Sequence, residues 1–455
     1  MKVFYPIISS MFVWSQWKYW KELVPNNLPA VGRIFSSLHA RNYRLYFAGQ
    51  CISLTGSWMQ NIALSWLVYR LTGSVLLLAT VAFVTQFPSF FLAPFAGVAS
   101  DRFNKHKILI ITQILFMLEA LTLAALVLTH SIQTWHILAL GLYIGIVTAF
   151  DSPARQSLVI ELVGPKDLSN AIALNSAIFN GARLIGPSIG GILISLVGEG
   201  YCFLINGISY IAVISALMAM HLPAFCKPPR QAAIITQLRE GFHYVWGFLP
   251  IRTLLLLIAT LSFFGMPMLV IIPAYVKDIL QGDSQTLGFL MSSFGAGALL
   301  AALSLAARKS VLGLGKILTI CIIAFSLCLV ALSFVRLPSL AYVLAFPCGF
   351  GLIAAIATIN TLLQTLAAND KRGRVMSFYG MFLIGMAPLG SLLHSLIAKY
   401  LGLTGAMVTG AVVCLCAACV YEYHRPLIRK LSRPVYVEKG ILVPEIAAGL
   451  PTEGR

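Results

Sequence analysis

The sequence predicts an all-α integral membrane protein with twelve transmembrane helices in two six-helix bundles. Of its 455 residues, 59% are hydrophobic and only 10% are charged, whereas soluble domains carry about 25% charged residues. The apolar residues gather into runs of about 20 or more, the length that a spanning helix needs. The basic residues occupy alternate loops, which is typical of a chain that crosses a membrane repeatedly.

The apolar runs follow one another with mostly short connections. They lie near residues 44–69, 74–98, 107–129, 135–158, 169–197, 200–222, 252–276, 285–307, 313–335, 338–366, 374–401 and 404–423. A soluble core could not bury this much apolar surface, so we expect the lipid bilayer to surround the chain.

A longer connection separates the first six runs from the last six. We predict one bundle over residues 42–222, a cytoplasmic linker over 223–250 and a second bundle over 251–424. Residues 163–170, before the fifth run, weakly resemble residues 367–374, before the eleventh. This internal likeness indicates two pseudo-symmetric halves.

The two terminal segments are predicted to lie outside the bilayer core. Residues 1–41 combine tryptophans, lysines and prolines, and their apolar stretches are too short to span a membrane. An interfacial helix or a disordered extension is expected there, without a cleavable signal peptide. Residues 425–455 are expected to form a cytoplasmic tail.

Lysine and arginine residues predict the orientation of the chain. With both termini in the cytoplasm, 27 of them fall in cytoplasmic segments and 4 in external ones, while Arg183 lies inside an apolar run. Cytoplasmic loops carry the excess of basic residues in membrane proteins. We therefore expect a multi-pass protein of the inner (plasma) membrane with both termini cytoplasmic.

Composition and motifs exclude several classes of function. The net charge of +17 is distributed over alternate loops rather than one face, so we expect no nucleic-acid partner. Cys414, Cys416 and Cys419 lie in an apolar run that we expect to be embedded in lipid, so we expect packing rather than a metal site. Residues 313–316 are too short for a phosphate loop, and no catalytic triad or metalloprotease pattern stands out. We expect no enzyme activity and no cofactor.

The connection between the second and third runs carries the first family resemblance. It reads Gly97-Val-Ala-Ser-Asp101-Arg102-Phe-Asn104-Lys105 and resembles the signature loop of the major facilitator superfamily of secondary transporters, G-x-L-a-D-r-x-G-r-k. Asn104 replaces a glycine, and we expect it to tolerate left-handed backbone angles there. The corresponding loop of the second half, residues 308–316, keeps the basic charge but has no Asp.

Three further stretches narrow the resemblance to one branch of this superfamily. Residues 149–156, 170–176 and 372–377 resemble the exporter branch that contains the bacterial enterobactin exporter. The resemblance implies the major facilitator fold, a monomer, and proton-driven export of a small amphiphilic or anionic molecule, with siderophores among the candidates. Drug, macrolide and lysophospholipid transport are alternatives in the same class. A non-transporting receptor or scaffold is the alternative of another class.

Two carboxylates within the runs are candidates for proton coupling. Asp151 lies one helical turn before Arg155, so it forms either a structural ion pair or a protonatable group linked to conformation. Glu119 has no nearby basic residue in the sequence. It either stays protonated and bonds a neighbouring helix, or takes part in coupling.

The fifth run contains Arg183 followed by Gly186-Pro187-Ser-Ile-Gly190-Gly191. The small residues predict close helix packing, and GPxxGG also resembles a motif of proton-coupled antiporters in the superfamily. Arg183 is the only basic residue deep in a run. It predicts a site for an anionic substrate group, a carboxylate partner, or a structural tie.

Polar residues in the first and tenth runs are candidates for the substrate cavity, because the resemblance places helices one, four, seven and ten around it. Interhelical hydrogen bonds are the alternative explanation. These residues are Gln50, Ser53, Ser57, Asn61, Asn360 and Gln364.

Charged residues at the cytoplasmic mouth are candidates for a gate. Asp101, Arg102 and Lys105 lie on the same predicted membrane face as Asp151 and Arg155. We expect these side chains to form one cluster that holds the inner side shut.

Overall fold

The computed structural model describes residues 36–220, 242–308, 310–368 and 371–442, and within them it contains helices and no strand. The first half contains α1 (Arg41–Thr72), α2 (Val75–Arg102), α3 (Lys105–Leu128), α4 (Thr134–Gly164), α5 (Asn170–Val197) and α6 (Glu199–Met218). The second half contains α7 (Leu249–Ile279), α8 (Ser284–Ala306), α9 (Leu314–Phe334), α10 (Pro338–Leu366), α11 (372–401) and α12 (403–438).

Two of these helices are joined to the next without a loop, through a glycine. The run Thr134–Val197 breaks at Gly164, where φ is 66°, and this break separates α4 from α5. The run Arg372–Glu438 breaks at Gly402, where φ is 73°, and this break separates α11 from α12. Glycine adopts these left-handed angles without the penalty that a Cβ atom would impose.

Ten helical runs within the described residues are long and apolar enough to cross a membrane. The last of them contains both α11 and α12, and α1 adds a 32-residue helix that is more polar. Twelve long helices result, so the predicted fold class is confirmed. The final helix continues to Glu438, beyond the apolar run that ends near residue 423, and its buried Ile428 and Ser432 still face the protein.

Each half packs mainly within itself. In the first half, α2 contacts α4, α3 contacts α6, and α1 lies against α5 and α6. In the second half, α10 packs between α8 and α9, while α7 lies against α11 and α12. The halves meet along two pairs of helices, α5 with α8 and α2 with α11.

The connections alternate between two ends of the molecule, which we call the Thr72 end and the Asn104 end. Hydrogen bonds between the halves occur at the Thr72 end. Ser284 Oγ donates to the Gly191 carbonyl at 3.1 Å, and Gln285 Nε2 donates to Ser195 Oγ at 2.6 Å. The Tyr69 hydroxyl of α1 donates to the carboxylate of Asp278 in α7.

Most of the predicted N-terminal segment and linker lie outside the described residues. The described part begins with a short 3-10 helix, Ser36–His39, in which Ser37 donates to Asn170 Oδ1 through its backbone nitrogen and its hydroxyl. A helix over residues 242–247 precedes α7. Its Tyr244 hydroxyl accepts from the backbone nitrogen of Ala368, so it lies against the α10–α11 connection.

Candidate functional site

The signature loop forms the junction between α2 and α3. Gly97, Asp101 and Arg102 belong to the last turns of α2, and their side chains lie outside what the structure describes. Asn104 has extended angles, φ −66° and ψ 110°, so this position does not require the left-handed angles that Asn tolerates. Its side chain instead accepts hydrogen bonds from two backbone nitrogens, His106 at 3.0 Å and Lys107 at 3.2 Å. Asn104 is therefore the N-cap residue of α3.

Lys105 of this loop pairs with Glu161 near the end of α4. Asp151 lies ten residues earlier in the same helix, which corresponds to about 15 Å along its axis. Among the described side chains, the structure therefore separates the Lys105–Glu161 pair from the Asp151–Arg155 pair. The sequence contains Glu161, but its spacing from Lys105 along the chain does not reveal the contact.

Asp151 is the centre of a buried network that joins three helices. One carboxylate oxygen accepts from Thr112 Oγ1 at 2.8 Å and Gln113 Nε2 at 2.9 Å, both on α3. The other accepts from Arg155, with Nη2 at 2.7 Å and Nε at 2.9 Å. Arg155 also donates to the side-chain oxygen of Gln50 on α1. Four hydrogen bonds thus compensate the charge of Asp151, as a buried ion pair requires.

Glu119 occupies a different network, on the Thr72 side of the same half. Its side chain is 3% exposed and accepts from Gln60 Nε2 at 2.9 Å. Gln60 Oε1 in turn accepts from Asn206 Nδ2 of α6 at 2.6 Å. No basic side chain among the described residues forms an ion pair with Glu119. Buried carboxylates are usually paired, so this one is unusual.

A glycine in α1 allows this second network to form. A Cβ atom at Gly56 would lie 2.4 Å from Asn206 Oδ1 and 2.9 Å from Ser209 Oγ. The absence of a side chain therefore lets α6 approach α1 and brings Asn206 to Gln60. Gln60 and Asn206 are not among the residues predicted from the sequence, although each is an amide in an apolar run and such amides usually bond across helices.

The glycines of the fifth helix bring it close to two neighbours. A Cβ atom at Gly186 would lie 2.6 Å from Cβ of Trp58, and one at Gly190 would lie 3.2 Å from Met59, both on α1. On another face, a Cβ atom at Gly191 would lie 3.0 Å from Cα of Gly288 in α8. This strip therefore packs α5 against its own half and against the other half.

Pro187 contributes to the same contact between the halves. Its carbonyl oxygen is 2.5 Å from the position of a Cβ atom at Gly288. Ser188 Oγ donates to Ser292 Oγ at 2.6 Å, and Ser292 Oγ donates to the Leu184 carbonyl at 2.6 Å. The seam between α5 and α8 is thus formed by backbone and small hydroxyl groups.

Arg183 lies at this seam between two aromatic rings. Its guanidinium carbon is 5.6 Å from the ring centroid of Trp58 in the first half and 5.3 Å from that of Phe294 in the second. Phe179, one turn earlier, packs edge-on against Trp58. Within the described ranges, no carboxylate lies within 4 Å of the guanidinium. The guanidinium of Arg183 therefore interacts with the two aromatic rings through cation–π contacts.

The cavity candidates of α1 do not form one surface. Gln50 and Ser53 are buried, and Gln50 belongs to the Asp151 network. Ser57 contacts the Tyr210 hydroxyl of α6 at 3.2 Å, while Asn61 is exposed.

The candidates on α10 lie together. Gln364 Nε2 donates to Asn360 Oδ1 at 2.6 Å, and Gln364 is exposed. They therefore have polar atoms available to a ligand.

Comparison with known proteins agrees with this architecture. The chain is 26% identical over 401 residues to the staphyloferrin A transporter of Staphylococcus aureus, an alignment that covers 86% of this chain and 98% of the relative. It is 26% identical over 388 residues to the multidrug efflux pump Tap of Mycolicibacterium fortuitum, with 83% and 94% covered.

Among solved structures, a bacterial homologue of the human lysosomal transporter Spinster, in an inward-facing and unoccupied conformation, superposes with a TM-score of 0.65. The two chains are 14% identical, and the match covers 87% of this chain and 98% of the other. This likeness concerns the fold. The family model described as transmembrane secretion effector matches residues 33–433. The chain therefore belongs to the transmembrane secretion effector family of the major facilitator superfamily and is a multi-pass membrane transporter of small molecules.

Proposed function

We propose that this protein is a secondary exporter that moves a small anionic molecule out of the cell in exchange for protons. The observation that carries the proposal is Arg183, which lies at the seam of the two halves with no carboxylate within 4 Å in the described part of the chain. A charge within a membrane-spanning segment is costly and usually serves a ligand or an ion pathway. An anionic substrate would supply the missing counter-charge.

The aromatic neighbours of Arg183 favour a particular kind of anion. Trp58 and Phe294 cover the guanidinium with flat apolar rings. Arginine binds carboxylates and phosphates through parallel hydrogen bonds in its own plane and stacks on aromatic faces. A carboxylate or phosphate attached to an apolar or aromatic body suits such surroundings.

The location of Arg183 supports transport by alternating access. Trp58 and Phe294 belong to different halves, so an anion bound there would contact both. Rocking of two repeats around a central site is how secondary transporters expose a substrate alternately to the two sides. With the Asn104 end in the cytoplasm, as the basic residues favour, hydrogen bonds close the external end of the seam.

Siderophores are the favoured substrates in this proposal, since the staphyloferrin A transporter is one of the relatives. Iron chelators of this kind offer the anionic oxygen ligands that hard metal ions prefer. A second candidate function is drug efflux, which the equal identity to the pump Tap favours. A lysophospholipid, with its phosphate and apolar chain, is a third substrate that Arg183 could accept.

Transport assays in inside-out membrane vesicles test the proposal. Vesicles containing the protein are incubated with a small-molecule extract of the same cells, with the interior made acidic, and the contents are analysed by mass spectrometry. We expect one or more anions to accumulate, and an uncoupler to prevent it. The Arg183→Gln variant should lose the accumulation.

Arg336→Gln is the matched control, because it makes the same chemical change at an exposed position, and it should accumulate the same anion. If wild-type vesicles accumulate no anion under the pH gradient, or if Arg183→Gln behaves as wild type, the proposal is wrong. Accumulation of cationic or neutral drugs alone would favour the second candidate.

A further inference from the structure

We propose that Glu119 is the proton-binding carboxylate of the exchange, and that helix α1 links it to Arg183 through Gln60 and Trp58. This inference rests on the proposed function, since it assigns the proton site of that exchange. It follows from the contacts of the two buried carboxylates in the first half and from the positions of their neighbours on α1.

Asp151 and Glu119 differ in the groups that compensate their negative charges. Asp151 is bound to Arg155 at 2.7 Å and accepts two more hydrogen bonds from α3. Removing its negative charge would leave the partly buried Arg155 without a counter-charge. Glu119 accepts from a neutral amide and has no basic partner among the described residues. It is therefore the carboxylate that gains and loses a proton at the smaller electrostatic penalty.

Protonation of Glu119 changes a hydrogen bond between α3 and α1. The charged carboxylate accepts a charge-assisted hydrogen bond from Gln60 Nε2, whereas a protonated carboxyl group accepts more weakly and has an O–H donor of its own. Gln60 cannot simply exchange its two ends, because its oxygen already accepts from Asn206 Nδ2. The protonation state of Glu119 therefore sets how strongly Gln60 is held.

The hydrogen bond between Gln60 and Glu119 is the contact that responds most to protonation of Glu119, because the other groups around this carboxylate are neutral. The titratable side chains that face it are the phenols of Tyr143 on α4 and Tyr210 on α6. Tyr143 donates to the Leu115 carbonyl at 3.2 Å, and Tyr210 contacts Ser57 at 3.2 Å. On α1 the facing group is the neutral amide of Gln60. No charged side chain among these described contacts competes for the proton.

Gln60 lies two residues after Trp58, so the two side chains point to opposite sides of α1, about 200° apart at 3.6 residues per turn. Trp58 covers Arg183, and its Cβ atom is 2.6 Å from the position of a Cβ atom at Gly186. The helix is thus held closely against α5 on one side and bonded to Glu119 on the other. A rotation or shift of α1 that releases Gln60 therefore also moves Trp58 relative to Arg183.

The fluorescence of Trp58 tests this link without any substrate. A protein that keeps Trp58 as its only tryptophan is made by replacing Trp14, Trp17, Trp20, Trp66, Trp135 and Trp246 with Phe, and its emission is followed in lipid nanodiscs from pH 4 to pH 9. We expect a transition with the steepness of a single proton. Glu119→Gln should remove the transition, and Asp151→Asn should retain it.

Gln60→Leu provides a second variant, because it keeps Glu119 but removes the connection. It should also remove the transition of Trp58. Loss of the transition in Asp151→Asn together with its persistence in Glu119→Gln would overturn the proposal and move the proton site to Asp151. An unchanged transition in Gln60→Leu would overturn the role of α1.

Vesicle transport separates this inference from the proposed function. Where wild-type protein accumulates an anion, Glu119→Gln vesicles should lose accumulation driven by the pH gradient by at least tenfold, yet still exchange labelled for unlabelled anion without a gradient. Gradient-driven accumulation at the wild-type level by Glu119→Gln would refute the inference alone. If wild-type vesicles accumulate nothing, the proposed function fails, and the Trp58 titration then decides the coupling between Glu119 and α1 by itself.

Discussion

The two halves of this transporter share a helical plan but bury different chemistry. The buried carboxylates among the described residues, Glu119, Asp151 and Glu199, all lie in the first half, where amide side chains accompany them. In the second half the buried polar groups are Ser and Thr hydroxyls together with His394. A hydroxyl can bond a carbonyl of its own helix, as Ser391 does with Ala387 at 2.9 Å, whereas the buried Gln60 of the first half bonds Glu119 and Asn206 on two other helices.

Backbone packing shows the complementary difference. In the second half, a Cβ atom at Gly297, Gly349 or Gly390 would lie 1.9 Å from a carbonyl oxygen of a neighbouring helix. Among the described glycines of the first half, the closest such distance within that half is 2.5 Å, from a Cβ atom at Gly145 to the Thr85 carbonyl oxygen. Among the described residues, the first half therefore contains the buried carboxylates, while the second half contains the closest approaches of glycine to neighbouring backbone.

The largest expected effect concerns the Asp151 network. Asp151→Asn leaves the partly buried Arg155 without its counter-charge, and breaking a buried pair in this way costs up to about 3–5 kcal/mol. We expect a marked drop in the midpoint of thermal unfolding in detergent. Glu161→Gln, which removes a half-exposed carboxylate, serves as the control with a small effect. Equal stability of Asp151→Asn and wild type would mean that the network does not hold the first half together.

The packing of the second half predicts a somewhat smaller loss. Gly349→Ala places a methyl group against the Phe294 carbonyl, and overpacking of this kind costs about 1–3 kcal/mol. The side-chain ring of Phe294 covers Arg183. Because displacement of Phe294 would move this ring, we also expect weaker anion accumulation. Gly380→Ala is the matched control, since nothing lies within 4 Å of its Cβ position. Unfolding midpoints that match for the two variants would contradict the close packing of α8 with α10.

The contact between the halves at the Thr72 end predicts a conformational effect. Tyr69→Phe removes the hydrogen bond to Asp278, which is worth about 1.5–3 kcal/mol for a charged acceptor. We expect the seam at this end to open more often, so that a cysteine introduced at Ser195 reacts several-fold faster with a thiol reagent. Thr72→Val, at the same end but bonded only to Val68 and Ser74 of the first half, should leave the rate unchanged. No change of the rate in Tyr69→Phe would show that other contacts keep the end closed.

The smallest effect is expected at the end of α12. Lys439 Nζ donates to the Thr365 and Ala367 carbonyls at 2.6 and 2.7 Å, at the end of α10. Burial, and next the charge of Arg372, lowers the pKa of Lys439. The unfolded chain therefore binds more protons than the folded one between this lowered pKa and the ordinary value, and stability rises with pH across that interval. Lys439→Met should remove this contribution, which the unfolding midpoint measured from pH 8 to pH 11 would reveal, with Lys430→Met as an exposed control.

Much of the fold could be predicted from composition and periodicity. Twelve runs of sufficient length, with basic residues between alternate pairs, specify a multi-pass helical protein because lipid imposes helices on any spanning segment. The end of α12 could not be predicted from hydropathy, because the apolar run ends near residue 423 while the helix continues to Glu438. Burial of Ile428 and Ser432 holds this part of the helix against the protein, although it contains Pro426 and Pro434.

The site residues divide in the same way. Spacing along one helix placed Asp151 with Arg155, since i and i+4 lie on one face. It could not pair Lys105 with Glu161, which are 56 residues apart, nor place Gln60 beside Glu119. Contacts of this kind depend on how far neighbouring helices approach and rotate, and glycines such as Gly56 set that distance.

By itself, therefore, the sequence determined the membrane environment, the number of helices, the family, and the identity of the few charged residues within the spans. Each follows from local hydropathy and local motifs. The tertiary structure alone decided that Arg183 lies between rings of both halves and that Glu119 and Asp151 have different partners. The reason is that helix packing, rather than chain order, determines which side chains compensate a buried charge.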